Sequence, residues 1–191
     1  MVQSDKDDDM RWKVLDSKYL FNRPWLTARV DKVQLPTGAV VDEYYILEYP
    51  DWVNTIAVTR DGRFVFVRQY RHGLGKTVDE LCAGVVEKGE VPEDAARREL
   101  LEETGFGGGT WTPWMQITAN ASTHTNLTHC FLATGVEPVS TQHLDKGEDI
   151  KVRIFTRDEV LDMLRRGAIW QSLMAAPLWK YFAEGEKNVK D

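Results

Sequence analysis

The sequence predicts a mixed α/β chain of the α+β kind, in which an antiparallel β extension precedes a domain of sheet and helices. Three observations predict it. Runs of alternating apolar and polar residues recur through the first half, one helix with both ends marked lies near the middle, and further helical stretches close the chain. At 191 residues the chain can bury a sizeable core, and 42% hydrophobic against 28% charged residues is an ordinary globular balance. The net charge of −6 argues against a nucleic-acid or anionic-membrane surface. No run of about 18 apolar residues occurs, and MVQSDKDDDM lacks the apolar segment of a secretory signal, so a cytoplasmic location is expected. Cys82 and Cys130 have no metal-ligand spacing and sit among apolar neighbours, which reads as two buried free thiols.

In chain order, residues 1–10 are acidic and read as disordered. WKVLDSKYL reads as a strand that FNRPWL breaks, because Pro24 restricts the residues before it. TARVDKVQL alternates, PTG supplies a turn, and AVVDEYYILEY alternates again, giving an antiparallel extension over residues 11–50. A few strands need another surface to cover their apolar face. Trp12, Trp25, Tyr44, Tyr45 and Trp52 crowd in or beside the extension, a density that suits an interface, a base-stacking platform or the chain's own core.

The main domain spans residues 51–183. WVNTIAVT, the turn RDG and RFVFVRQY form a hairpin ending in an arginine-rich run with Arg68 and Arg71. A planar guanidinium suits bidentate phosphate binding, which makes Arg71 a substrate-contact candidate. TVDELCAGVV is a further strand carrying Glu80. After the central helix, GGG at 107–109 reads as a flexible link, TWTPWMQITA as a strand, residues 120–126 as a loop and LTHCFLAT as a strand. His124 and His129 read as structural hydrogen-bonding groups, with a place in the pocket as the alternative. A long polar connection holding Asp145, Glu148 and Asp149 precedes the strand IKVRIF. Residues 157–165 form a helix stopped by Gly167, residues 170–182 a helix kinked or shortened by Pro177, and residues 184–191 should fray.

The central helix follows GVVEKGEV. Pro92 suits the first helical position, Glu93 and Asp94 suit the positive end of the dipole, and Gly105 suits the C-terminal cap. Val91 is a poor N-cap, so tertiary contacts must fix the start. Glu99, Glu102 and Glu103 stand at i, i+3 and i+4 and share one face, where like charges cost a helix roughly 0.2–0.5 kcal/mol per pair. A hard divalent cation converts that repulsion into ligation.

Gly84, Glu90, Arg98, Glu99, Leu100, Glu102, Glu103, Gly105 and Phe106 together meet the pattern G-x5-E-x7-R-E-U-x-E-E-x-G-U, with U an aliphatic or aromatic residue. This is the Nudix box, and the chain closely resembles the Nudix hydrolases. The resemblance implies an α/β/α sandwich with a mixed sheet and hydrolysis of a nucleoside diphosphate linked to another group. It implies metal ligation by Glu99, Glu102, Glu103 and the Ala83 carbonyl, with Mg²⁺ expected and Mn²⁺ a substitute. It also implies a supporting role for Glu90, Arg98 and Gly84. The extension and the RQYR run resemble the ADP-ribose pyrophosphatase branch, where such a sheet makes a dimer interface and helps wall the substrate pocket. A homodimer is therefore expected, with Arg71, Glu80 and Trp52 as substrate-side residues. An acid of the late polar loop assists catalysis in that branch, and Glu148 is the expected one, with Asp145 and Asp149 as alternates. The general base stays open among Glu102, Glu103 and Glu148. ADP-ribose is the first-choice substrate. GDP-mannose, another nucleoside diphosphate derivative, or a non-catalytic nucleotide sensor are the alternatives.

Overall fold

A computed structural model of the chain describes residues 10–185. The expectations for the acidic start and the frayed tail therefore fall on 1–9 and 186–191, outside the described residues, while Glu184 and Gly185 form the last turn of a helix. The chain divides into two compact units, Met1–Tyr49 with Asn120–Asn126, and Pro50–Ala119 with Leu127–Asp191.

The first unit is a three-stranded antiparallel sheet of β1 (Lys13–Arg23), β2 (Leu26–Gln34) and β3 (Val40–Glu48), in that order. The expected break within FNRPWL is a tight turn at Pro24-Trp25, with β1 running on through Asn22 and Arg23. Arg23 pairs with Leu26 across the two-residue loop Pro24-Trp25. The restriction that proline places on its predecessor favours extended backbone, and a strand already has that backbone. Asp31 is buried and accepts from Ser17 Oγ at 2.6 Å and from Arg29 Nε at 3.1 Å, which satisfies a carboxylate that would otherwise be costly to bury. Residues 120–126 are a loop, as expected, and their backbone lies along the outer edge of β3. Leu47 donates to Thr123 O at 2.7 Å, and Tyr44 Oη donates to Ser122 O at 2.5 Å. His124 packs its ring against Tyr49 with centroids 5.5 Å apart.

The second unit holds β4 (Trp52–Thr59), β5 (Phe64–Arg71), β6 (Lys76–Glu80), β7 (Cys82–Val85), α1 (Pro92–Thr104), β8 (Phe106–Gly107), β9 (Thr110–Ile117), β10 (Thr128–Pro138), β11 (Lys151–Phe155), α2 (Arg157–Arg165) and α3 (Ser172–Gly185). The sheet is mixed, in the order β11-β5-β4-β10-β8, and β10 runs parallel to β4 while the other pairs are antiparallel. Alternate residues of β4 and β5 face opposite layers. Ile56, Val58, Phe64 and Phe66 pack on Val160, Met163, Leu178 and Phe182 of α2 and α3. Ala57 and Val65 pack with Leu100 of α1, and Val53 with Ala95 and Ala96. This period-two alternation produces the α/β/α sandwich.

Two features position the site. The β4–β5 hairpin is paired only at Ala57–Val65 and Val58–Phe64, and beyond that point the strands part. The rest of β4 pairs with β7 through Trp52–Thr55, and the rest of β5 pairs with β6. The opening thus brings Ala83 and Gly84 beside α1. The second feature corrects the reading of GGG as a flexible link. Gly107 pairs with Glu137 through β8, and a Cβ at Gly109 would overlap the Thr134 carbonyl, so small residues here serve close backbone approach.

Pro177 lies inside α3 without shortening it. A proline cannot donate to the carbonyl four residues earlier. Here that carbonyl, Leu173 O, accepts from Asn54 Nδ2 at 2.8 Å instead, so β4 supplies the missing donor. Among the described residues no helix is long and apolar enough to cross a membrane.

Asn54→Ala should destabilise the protein by about 1 kcal/mol, because it leaves a partly buried carbonyl without a donor. Adding Pro177→Ala in that background should recover part of the loss, since residue 177 then carries an N–H. Urea unfolding of the two variants measures both effects, and equal stability would contradict the substitution of one donor for the other.

Candidate active site

The helix α1 is placed by its apolar residues and by its ends. Ala95, Ala96 and Leu100 are fully buried on the sheet. Val91 offers no side-chain cap, Pro92 opens the helix, and Gly105 closes it with φ of 72° and an N–H bonded to Leu101 O at 2.8 Å. With that face fixed, Glu99 and Glu103 turn toward β7, while Glu102 stays half-exposed.

Gly84 is where helix and strand touch. A Cβ there would overlap the Glu99 carboxylate, so only glycine leaves room for that side chain. One residue earlier, the Ala83 N–H donates to Glu103 Oε2 at 3.1 Å. Burial pushes the Glu103 carboxyl up to about 7 against its ordinary 4.5, bonds from Cys82 and Ala83 offset part of this, and the charges of Glu99 and Glu148 add to it. Glu99 is raised as well, again chiefly by burial, with Arg98 acting the other way and Glu102 and Glu148 adding repulsion. The Cys82 thiol beneath them is raised by burial and by the charge of Glu103.

Arg98 ties this cluster together. Its Nε and Nη2 donate to the two Glu90 oxygens at 2.9 and 3.0 Å, and Nη2 also donates to Val85 O at 3.0 Å. Nη1 donates to Glu99 Oε1 at 2.8 Å and to Glu102 Oε2 at 3.1 Å. Glu90 first, then Glu99 and Glu102, raise the guanidinium's pKa against the opposing effect of burial, and the guanidinium holds Glu90 below the usual carboxylate value. The loop of β7 and the helix are therefore joined through one planar cation.

Of the remaining expected residues, Glu148 lies on the late loop with its charge felt at Glu99, Glu103 and Cys82. Its carboxylate accepts from Asp145 N at 3.0 Å, which closes a local turn. Arg71 does not stand alone. Its Nε and Nη2 meet Glu80 Oε2 at 2.8 and 2.7 Å, with Glu80 buried and Arg71 partly exposed. Trp52 opens β4 half-buried, its backbone bonded to Leu127 O at 2.9 Å. His129 is held on both ring nitrogens, by Gln116 at 3.0 Å and Asp51 at 2.9 Å. Sequence reasoning missed Cys82 as a donor to Glu103 and missed Gln142, which donates to Glu103 O at 2.6 Å. Neither carries a local signal, since both contacts join residues distant in sequence.

The donor set of carboxylate oxygens and a backbone carbonyl suits a hard divalent cation. The cradle that Gly84 leaves for Glu99 fits the same use. Among the described residues no three acidic, imidazole or thiol groups are yet gathered closely enough to enclose an ion. Arg98 draws Glu99 and Glu102 to itself, which offsets the repulsion between like charges on one helix face.

Residues 49–176 match the NUDIX domain, and residues 12–47 match the nucleoside diphosphate sugar hydrolase N-terminal domain. The chain is a Nudix hydrolase. It is 29% identical over 164 residues to the ADP-ribose pyrophosphatase of Bacillus subtilis, covering 85% of this chain and 88% of the relative. It is 30% identical over 161 residues to the methanol dehydrogenase activator of Bacillus methanolicus, covering 84% and 86%. The crystal structure of an ADP compounds hydrolase shares the fold, with a TM-score of 0.79 at 19% identity over 92% of this chain and 96% of that one. Nudix hydrolases act on pyrophosphate bonds and use divalent metal ions.

The raised Glu103 pKa has a consequence for stability in metal-free protein. The unfolded chain releases its proton near 4.5, while the folded one retains it to about 7. Glu103 therefore stabilises the fold most below 4.5, and that contribution is lost as pH rises through about 7. In EDTA the melting temperature of the native protein should fall over this window relative to Glu103→Gln. Parallel melting curves for the two proteins would contradict it.

Proposed function

We propose that this Nudix hydrolase cleaves the pyrophosphate bond of a nucleoside diphosphate sugar, ADP-ribose first, to a nucleoside monophosphate and a sugar phosphate. The observation that carries the reading is that Ala83 and Arg98 fix Glu103, Glu99 and Glu102 along one side of α1 at its junction with β7, within reach of the Glu148 charge. The match of residues 12–47 to a nucleoside diphosphate sugar hydrolase N-terminal domain and the naming of the Bacillus subtilis relative support the substrate class.

Glu99, Glu102, Glu103 and the Ala83 carbonyl would hold Mg²⁺, with Mn²⁺ as substitute, and the ion when bound supplies charge neutralisation for the diphosphate. The chain's own residues do the rest. Arg98 fixes the orientation of Glu99 and Glu102 and ties them to Glu90. A carboxylate from the set Glu102, Glu103 and Glu148 takes the proton of the attacking water, and such closely placed acids titrate as a group. Arg71, partly exposed and oriented by Glu80, presents its free guanidinium edge to a phosphate, and Trp52 borders the substrate.

Glu102→Gln and Glu103→Gln should each lose about a hundredfold or more in kcat, the scale expected when general-base work is removed. A Mg²⁺-dependent phosphate-release assay over about a dozen nucleotides, coupled to a phosphatase that acts on the monophosphate products, names the substrate. Equal turnover of every nucleotide, or none of any, contradicts the proposal.

We further propose a cytoplasmic homodimer joined through the N-terminal sheet. β1 is exposed along its whole length, and Leu20, Phe21, Tyr19 and Trp25 present apolar surface there. Light scattering at micromolar concentration should give twice the chain mass, and a monomer mass removes the proposal.

A further inference from the structure

A helix end leaves carbonyls that need donors, and α1 has no basic residue in its last turn to supply them. The polar segment after β10 does so instead. Val139 N and Ser140 N donate to Gly105 O at 2.9 and 3.1 Å, and His143 N donates to Glu102 O at 2.9 Å. The one side chain in this arrangement is Gln142. Its Nε2 donates to Glu103 O at 2.6 Å and, at 3.3 Å, to the carbonyl of Ile150.

That pair of acceptors matters for what lies between them. Glu103 belongs to the box, and Ile150 is the buried residue at which the loop returns to the sheet ahead of β11. One carboxamide therefore pins the far end of the loop to the C-terminus of the catalytic helix. Between these points the loop folds into a turn, with Glu148 N bonded to Asp145 O at 2.9 Å and Asp145 N bonded to the Glu148 carboxylate at 3.0 Å. The turn sets the shape of the loop locally, the backbone bonds of Val139, Ser140 and His143 seat its near end on the helix, and Gln142 links its far end at Ile150 to the same helix end.

The chemistry of the residue also fits. A lysine or arginine would satisfy the helix carbonyls and favour the dipole, but it would bring a second cation beside the box acids and compete for them. A carboxamide offers two N–H donors without charge. We propose that Gln142 is a positioning residue that holds the Glu148 loop against the end of the box helix, so that loop acid and box acids share one site. This rests on the reading of Glu148 as an active-site acid.

The test uses the full chain in four forms, native, Gln142→Met, Glu148→Gln and the double variant. Methionine keeps the length and bulk of glutamine and removes the carboxamide with its donor, and the half-buried position tolerates it. Hydrogen exchange should show the amides of residues 143–150 losing protection in Gln142→Met, with the amides of α1 before its last turn unchanged. With ADP-ribose and Mg²⁺, kcat should fall about ten- to a hundredfold at little change in KM, the scale of a misplaced catalytic group. The double variant should be no slower than Glu148→Gln, because residues acting through one another are not additive. Losses that multiply, or loop amides that exchange as slowly as in the native protein, overturn the proposal. Near-native turnover by Glu148→Gln strikes at the loop acid rather than at Gln142. In that event faster loop exchange in Gln142→Met still upholds the clamp, and unchanged exchange still overturns it.

Discussion

The Arg98 guanidinium is the contact on which the rest of the site depends. It bonds to Glu90, Val85 O, Glu99 and Glu102, so one rigid fork joins the loop after β7 to the face of α1 that carries the acids. A lysine could not span these acceptors, since its ammonium is a single point with three donors. The cluster is partly buried, and ion pairs placed there are sensitive to the loss of either partner. Without the cation, Glu99 would be packed against Gly84 with no positive charge bonded to it, and Glu90 would keep its bond from Glu87 N inside the loop but lose its tie to the helix.

The sheet makes this contact possible by failing to zip completely. The β4 and β5 strands part after two residue pairs, and β7 occupies the vacated edge of β4. That insertion delivers the Ala83 N–H to Glu103 and the bare backbone of Gly84 to Glu99. On the other face of the sheet, Ile56, Phe64 and Phe66 bury against α2 and α3, so the opened hairpin is braced from behind. Burial then does chemical work, because the desolvated carboxylates are raised and become easier to neutralise by proton or by cation.

Much of this was legible in the sequence where the signal is local. The start and end of α1, its run of acids, the helix over residues 157–165 and the strands around them follow from spacing, from proline and from glycine. Contacts between distant residues were not legible. The parting of β4 from β5 depends on which strand competes for an edge, and hydrophobic alternation is the same in either case. Residues 120–126 read as a loop because NASTHTN is polar, yet their backbone pairs with Leu47. GGG was misread because glycine signals freedom and close approach alike, and only the neighbouring carbonyl of Thr134 tells them apart. Pro177 is expected to kink or shorten its helix; the helix is not shortened, and the donor that serves the carbonyl left by the proline, Asn54, lies more than a hundred residues earlier. Gln142 belongs to the same class.

The claim at the centre of this account is that carboxylates set by Arg98 and Gly84 hold divalent cations on a substrate diphosphate. Crystals grown with Mn²⁺ and a non-hydrolysable ADP-ribose analogue test it most directly through anomalous scattering at the manganese edge. The account predicts peaks bounded by Glu99, Glu102, Glu103 and the Ala83 carbonyl, next to the analogue's phosphates. Bound analogue with no anomalous peak between those residues would contradict it.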